Sequence, residues 1–117
     1  MTANLPSDER PWGKWETIEI EKGYQVKRIT VKAHHRLSYQ KHRHRSEHWV
    51  IVKGKGKVTL NGEDHELERG QYIFILTHAP HRIENIGEND LIFIEVQIGD
   101  ILSEDDIVRL EDDYGRT

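Results

Sequence analysis

Leu37-Ser38-Tyr39-Gln40-Lys41-His42-Arg43-His44-Arg45-Ser46-Glu47-His48-Trp49 is the stretch on which the fold turns. Side chains from Leu37 to His44 alternate in character, and a period of two is that of a β-strand. That period places Gln40, His42 and His44 on one face and Lys41 and Arg43 on the other. Glu47 follows after a bend of two residues, and the short apolar run His48–Val52 is closed by Gly54 and Gly56.

The same period continues on both sides. Ile18 and Ile20 alternate with acids, and Gln25 to Val31 is rich in β-formers before a bend at 33–36. Lys57–Leu60, Asn61-Gly62 and Glu63–Leu67 read as a hairpin, since Asn-Gly supplies the positive φ angles of a type I′ turn. Further strands are expected over Gln71–Thr77, His81–Asn85 and Leu91–Gly99. Many short strands at this spacing predict an all-β sandwich or barrel. One short helix is expected near the end: Ser103 as its cap, Asp106 at the third position, and Ile107, Leu110 and Tyr114 at helical spacing. Residues 1–9 carry no period and read as a mobile arm or an extended lead-in. The whole chain, 1–117, reads as a single domain.

Composition narrows the function classes. The 117 residues hold no cysteine, which excludes a disulfide framework, a thiolate zinc finger, an iron–sulfur cluster and a cysteine nucleophile. They are too few for a nucleotidyltransferase sheet. Seventeen basic and 21 acidic residues give a net charge of −4, so a general nucleic-acid binder is not expected. No apolar run reaches the ~18 residues of a membrane span, and no cleavable signal is visible, so the expected location is the cytoplasm, with no membrane partner. The charge is uneven. Residues 32–48 hold His34, His35, His42, His44 and His48 with five cations, while 100–113 hold seven carboxylates against Arg109. A basic, histidine-rich centre points to a local anion or metal site.

Imidazole and oxygen donors converging from two strands suit a divalent first-row ion, namely zinc, manganese, iron, cobalt or nickel, with zinc first among them. The donors in question are Gln40, His42 and His44, then Glu47, and far along the chain His81 with Asn85 four positions later. Their spacing resembles the two motifs of the cupins. Gln40-x-His42, four residues, Glu47, six residues and Gly54 stand for the first, and Gly70, Leu76, His78, His81 and Asn85 for the second. The resemblance implies a double-stranded β-helix (jelly-roll) barrel with Gln40, His42, Glu47 and His81 as metal ligands and His44 as an alternate. Further strings sharpen it: Arg10-Pro11-Trp12-Gly13, Lys27-Arg28-Ile29, Gln40-x-His42-x-His44-Arg45-x-Glu47-His48-Trp49, Ile94-Glu95-Val96-Gln97-x-Gly99, 104–109 and Tyr114-Gly115-Arg116. Over residues 10–116 the chain resembles the cupin domain of type II phosphomannose isomerases. Those often form the C-terminal part of bifunctional enzymes that also carry a guanylyltransferase domain. The segment 33–36 and the basic stretch 53–57 depart from that pattern.

The resemblance implies a stand-alone isomerase interconverting mannose 6-phosphate and fructose 6-phosphate. Such chemistry needs a cation to hold an enediolate, a base near neutral pKa and a phosphate anchor. The sequence offers His44 and His48 as bases, Lys27 as a weaker one, and Arg45 with Arg10 or Arg116 as anchors. Two alternatives stand beside this expectation: a non-catalytic cupin binding a sugar phosphate or nucleotide sugar, and another metal cupin such as an oxygenase or a different sugar isomerase. Trp12, Trp15 and Trp49 read as packing residues, and His34, His35, His65 and His78 as loop residues. The partners expected are a small sugar phosphate and, because a small barrel exposes its edges, a second copy of the chain in a homodimer.

Overall fold

Antiparallel pairing joins every strand of the computed structural model, which describes residues 5–116. In chain order the strands are β1 (Ser7–Arg10), β2 (Gly13–Glu21), β3 (Tyr24–Val31), β4 (Tyr39–Lys41), β5 (Arg45–Lys53), β6 (Lys55–Leu60), β7 (Glu63–Glu68), β8 (Tyr72–Ile75), β9 (His81–Asn85), β10 (Leu91–Gly99) and β11 (Val108–Glu111). One sheet runs β1-β2-β3-β10-β5-β8 and the other β11-β4-β9-β6-β7. From β3 to β10 the chain passes back and forth between the two sheets, which is the winding of a jelly roll. The Asn61-Gly62 turn joins β6 to β7 with φ of 51° and 82°, as the sequence predicts. Among the described residues no helix is long and apolar enough to cross a membrane.

The two sheets enclose one hydrophobic core, in which Val31, Ile51, Val58, Ile83, Leu91 and Phe93 are fully buried. The inward faces of the central strands are not uniform. On β3 they run Gln25, Lys27, Ile29, Val31; on β5 Arg45, Glu47, Trp49, Ile51; on β10 Leu91, Phe93, Glu95, Gln97. The register pairs Lys27 with Glu95, and Gln97 with both Gln25 and Glu47. All the polar inward residues therefore gather at one end of the barrel and the aliphatic ones at the other. At the polar end Gly99 sits against β5, where a Cβ would lie 2.2 Å from the His44 carbonyl oxygen. Only glycine lets β10 run that close to the start of β5.

Three expectations are corrected here. The short C-terminal helix does not form; residues 108–111 are β11, which covers the open edge of β4 with Arg109 opposite Gln40. The acids 104–106 are used otherwise, because Asp106 is drawn into hydrogen bonds with the chain at 42–44. Of the two readings of 1–9, a mobile arm is corrected for Ser7–Arg10, which are extended and pair with Gly13–Glu16, and residues 1–4 lie outside the described residues. The strand expected from Leu37 to His44 is cut to Tyr39–Lys41, with consequences for the site.

Candidate metal centre

Gln40 on β4 lies in register with His81 on β9, so a short ladder brings the two motifs together. After Lys41 the backbone bends, and the bend has an identifiable cause. The Asp106 carboxylate accepts the backbone N–H of Arg43 at 2.8 Å and of His44 at 2.9 Å, while its carbonyl accepts from His42 Nδ1 at 2.6 Å. A buried carboxylate thus caps the bend as it would a helix start. His42 stays inside, and His44, expected on the same face, is turned out to solvent.

At the polar end of the barrel His42, Glu47 and His81 converge, and one donor atom from each lies within 4.8 Å of the others. His42 Nε2 is 3.3 Å from Glu47 Oε2, and His81 Nε2 is 4.0 Å from Glu47 Oε1. Both rings are oriented by the backbone. His42 Nδ1 donates to the Asp106 carbonyl and His81 Nδ1, at 2.9 Å, to the Ala79 carbonyl. With the proton held on Nδ1, Nε2 of each ring presents a lone pair, the arrangement found behind metal-bound histidines; that of His42 accepts from Arg45 Nη2 at 3.3 Å. His81 Nε2 is buried and has no hydrogen-bond partner. Leaving such a lone pair unsatisfied is costly, and a cation at this point would satisfy it.

Electrostatics agree with this donor set. Burial pushes the His81 pKa down to about 4 despite the Glu47 charge, so the imidazole is neutral at pH 7. His42 is also lowered, by burial first and then by Arg45, against the opposing pull of Glu47. Burial alone would raise Glu47, but the Arg45 charge, joined at low pH by the two imidazoles once protonated, holds its carboxyl well below the ordinary range. Glu47 accepts from Arg45 Nε at 2.7 Å and from Trp49 Nε1 at 2.9 Å. Glu95 beside it is pushed well above its ordinary value, by burial and then by the Glu47 charge, so the two carboxyls are shifted in opposite directions. Two imidazoles and a carboxylate fit a divalent first-row ion.

The cluster opens onto a cavity of about 80 Å³ lined also by Gln40, Arg45 and Trp49, and by the cations Arg10, Lys27, Arg109 and Arg116. The sequence-predicted ligands Gln40, His42, Glu47 and His81 are therefore buried together. Of the three expected catalytic residues only Arg45 reaches the cavity, where it holds Glu47. His44 is exposed at the bend, and His48 points outward from β5 and stacks on Phe74, with ring centroids 4.3 Å apart. Neither side chain lines the cavity. Alternation carried the right signal for His48, because Glu47 inward forces its neighbour outward. Sequence reasoning missed Glu95, and read Asp106 as part of a helix cap. For Glu95 there was a signal: an acid set in an alternating apolar strand is a candidate inward polar residue.

Comparison with known proteins follows from this geometry. Residues 5–112 match the family described as Mannose-6-phosphate isomerase C-terminal. The mannose-1-phosphate guanylyltransferase ManC of Salmonella typhimurium is 52% identical over 107 residues, which are 92% of this chain and 22% of that protein. The chain thus spans about a fifth of the length of the curated relatives it matches. Among solved structures, the capsular polysaccharide assembling protein CapF of Staphylococcus aureus superposes with a TM-score of 0.78 at 19% identity, covering 94% of this chain and 35% of its own. The Cnp3 cupin domain of Schizosaccharomyces pombe gives 0.68 at 16% identity, covering 74% and 65%. At such identities these two establish the fold alone, and it is the cupin fold. The expected activity, interconversion of mannose 6-phosphate and fructose 6-phosphate by a stand-alone isomerase, is corrected by the relatives: they are named for guanylyl transfer to mannose 1-phosphate, and what they share with this chain is a cupin region. With nearly its whole length matched, the chain belongs to the Mannose-6-phosphate isomerase C-terminal family.

Proposed function

We propose that this chain is a metal-binding cupin module that takes a phosphorylated hexose over a divalent cation held by Gln40, His42, Glu47 and His81, zinc first among the candidates. The observation that carries it is the donor geometry: two neutral imidazoles whose Nδ1 atoms are committed to backbone carbonyls, turned with Nε2 towards one buried carboxylate. A bound cation would polarise an oxygen of the sugar as a Lewis acid. The chain's own residues do the rest. The Asp106 and Ala79 carbonyls fix the two rings, and Arg45 and Trp49 fix Glu47. Gln40, in register with His81, adds an oxygen donor from the neighbouring strand. Arg10, Arg109 and Arg116 line the cavity as the guanidinium groups a phosphate would meet, with Arg10 also held by Asp8 and Arg116 by Asp112. A sugar phosphate is favoured because the named relatives act on mannose 1-phosphate.

The test is metal analysis of the purified protein followed by calorimetric titration of the zinc-loaded protein with mannose 1-phosphate, mannose 6-phosphate and mannose. One equivalent of metal, and binding of a phosphorylated sugar at least tenfold tighter than of mannose, is the expected result. Substoichiometric metal after reconstitution, or equal affinity for mannose and its phosphates, would overturn the proposal.

A further inference from the structure

Lys27 is a buried cation that the metal cluster does not use. It sits on the inward face of β3 with its side chain 4% exposed, opposite Glu95 on β10. Its ammonium lies 3.9 Å from the centroid of the Trp15 ring, a cation–π contact that fixes its position. Its carboxylate partner is Glu104, whose own side chain is 42% exposed. Glu104 belongs to the connection between β10 and β11, and that connection touches the site at two further points. Arg45 donates to the Ser103 carbonyl at 3.2 Å, and His42 donates to the Asp106 carbonyl. Residues 103–106 are thus tied to the site by hydrogen bonds, and Glu104 lines the cavity with its carboxylate resting on the buried ammonium.

A buried ammonium is costly unless an anion lies against it. Glu95 faces it across the sheet, but the carboxylate in contact with the ammonium is that of Glu104. Glu104 supplies the anion here, from a half-exposed position on a segment without regular structure. The space it leaves, about 80 Å³, is well below the ~300 Å³ and upward of ordinary ligand sites. Glu104 lines this cavity, so an anion that takes its place on Lys27 must displace its carboxylate.

We propose that Lys27 receives the phosphate of the bound sugar, and that Glu104 is an internal stand-in for that phosphate, released when the ligand binds. The inference rests on the reading that the cavity takes a phosphorylated sugar. A phosphate outcompetes the carboxylate because it carries more charge and more acceptor oxygens. Lys27 holds either anion without moving, since Trp15 keeps the ammonium in place.

The test uses the full chain, zinc-loaded, with Glu104→Gln and Lys27→Met. Glu104→Gln removes the competing charge, and an exposed ion-pair partner of this kind weakens a competitor by about two- to fivefold. The expected result is a two- to fivefold gain in affinity for mannose 6-phosphate or mannose 1-phosphate in Glu104→Gln, and a loss of tenfold or more in Lys27→Met, with metal content unchanged in both. Unchanged or weaker binding in Glu104→Gln would overturn the stand-in role, and wild-type affinity in Lys27→Met would overturn the anchor. A second readout is independent of the sugar. With inorganic phosphate as the probe, amide exchange at 103–107 should rise in the wild type and stay level in Lys27→Met. If no phosphorylated sugar binds but phosphate still loosens 103–107, the hexose reading fails and the exchange of anions on Lys27 stands. If phosphate leaves exchange unaltered in both proteins, the proposal is refuted whatever the sugars do.

Discussion

Replacing Glu47 by Gln tests the electrostatic argument most directly, because Glu47 neutralises a buried cation as well as facing two imidazoles. Its carboxylate accepts from Arg45 Nε at 2.7 Å and from Trp49 Nε1 at 2.9 Å, and both Glu47 and Arg45 are buried. A glutamine keeps the shape and one acceptor, enough for Trp49, but turns an amide or a neutral oxygen towards the guanidinium. Leaving a buried charge without its partner costs about 3–5 kcal/mol. Glu95 reduces that figure. Its proton is held largely by burial and by the Glu47 charge, so removing that charge lets Glu95 ionise near Arg45 and take over part of the neutralisation. The expected loss is therefore at the lower end, about 3 kcal/mol, or about 12 °C in Tm for a domain of this size. Urea denaturation of the metal-free protein at pH 7, with unchanged slope, is the assay. The double variant Glu47→Gln/Glu95→Gln should lose more than the sum of the two single variants, because the substitute carboxylate is then gone as well. A loss under about 1 kcal/mol for Glu47→Gln, or strict additivity in the double variant, would refute the reasoning.

Other outcomes are expected from the same geometry. His81→Ala removes an inward Nε2 and should lower zinc affinity by a factor of ~100 or more while the barrel still folds; equal zinc content in dialysed wild type and variant would contradict the ligand assignment. His44→Ala and His48→Ala, both outward, should leave zinc content and sugar-phosphate affinity within twofold of wild type, and a large loss in either would reopen its place in the site. The metal-free protein should lose stability as pH falls from about 6.5 to about 4: His81 is lowered to about 4 when folded, so the unfolded chain binds the extra proton across that window and stability is retained above it. Denaturation midpoints that stay flat between pH 7 and pH 4.5 would disprove the neutral, buried imidazole. Val50, Val52, Tyr72 and Phe74 form an exposed apolar patch on the outer face of the six-stranded sheet. A homodimer is accordingly expected by light scattering, Tyr72→Lys should weaken it, and a monomer mass at every concentration would count against it.

How far the site could be read in advance depended on which residues alternation alone could place. β9, the β6–β7 hairpin and the inward turn of Glu47 and Trp49 follow from local rules: a period of two, and an Asn-Gly turn. Local rules failed where a distant residue intervened. Gln40, His42 and His44 have the spacing of one strand face, yet Asp106, more than sixty positions away, folds the chain at 43–44 and puts His44 outside. The same engagement commits Asp106 to the bend at 42–44, and residues 108–111 pair with β4 in place of the expected C-terminal helix.

By itself the sequence determined the strand content, the positions of the tightest turns, and the donor types and motif spacing from which Gln40, His42, Glu47 and His81 could be named as a metal set. All of these are written in short-range order, in backbone periods and residue chemistry. Tertiary structure decided the orientation of each imidazole, the burial that keeps His81 neutral, the opposite shifts of Glu47 and Glu95, and the position of Glu104 over Lys27. It also decided the faces of β10, whose apolar residues Ile92, Ile94, Val96 and Ile98 point outward while Glu95 and Gln97 point in. A period of two fixes which residues share a face, but which face meets the interior is fixed by the neighbouring strands, through the register that sets Glu95 opposite Lys27 and Gln97 opposite Glu47.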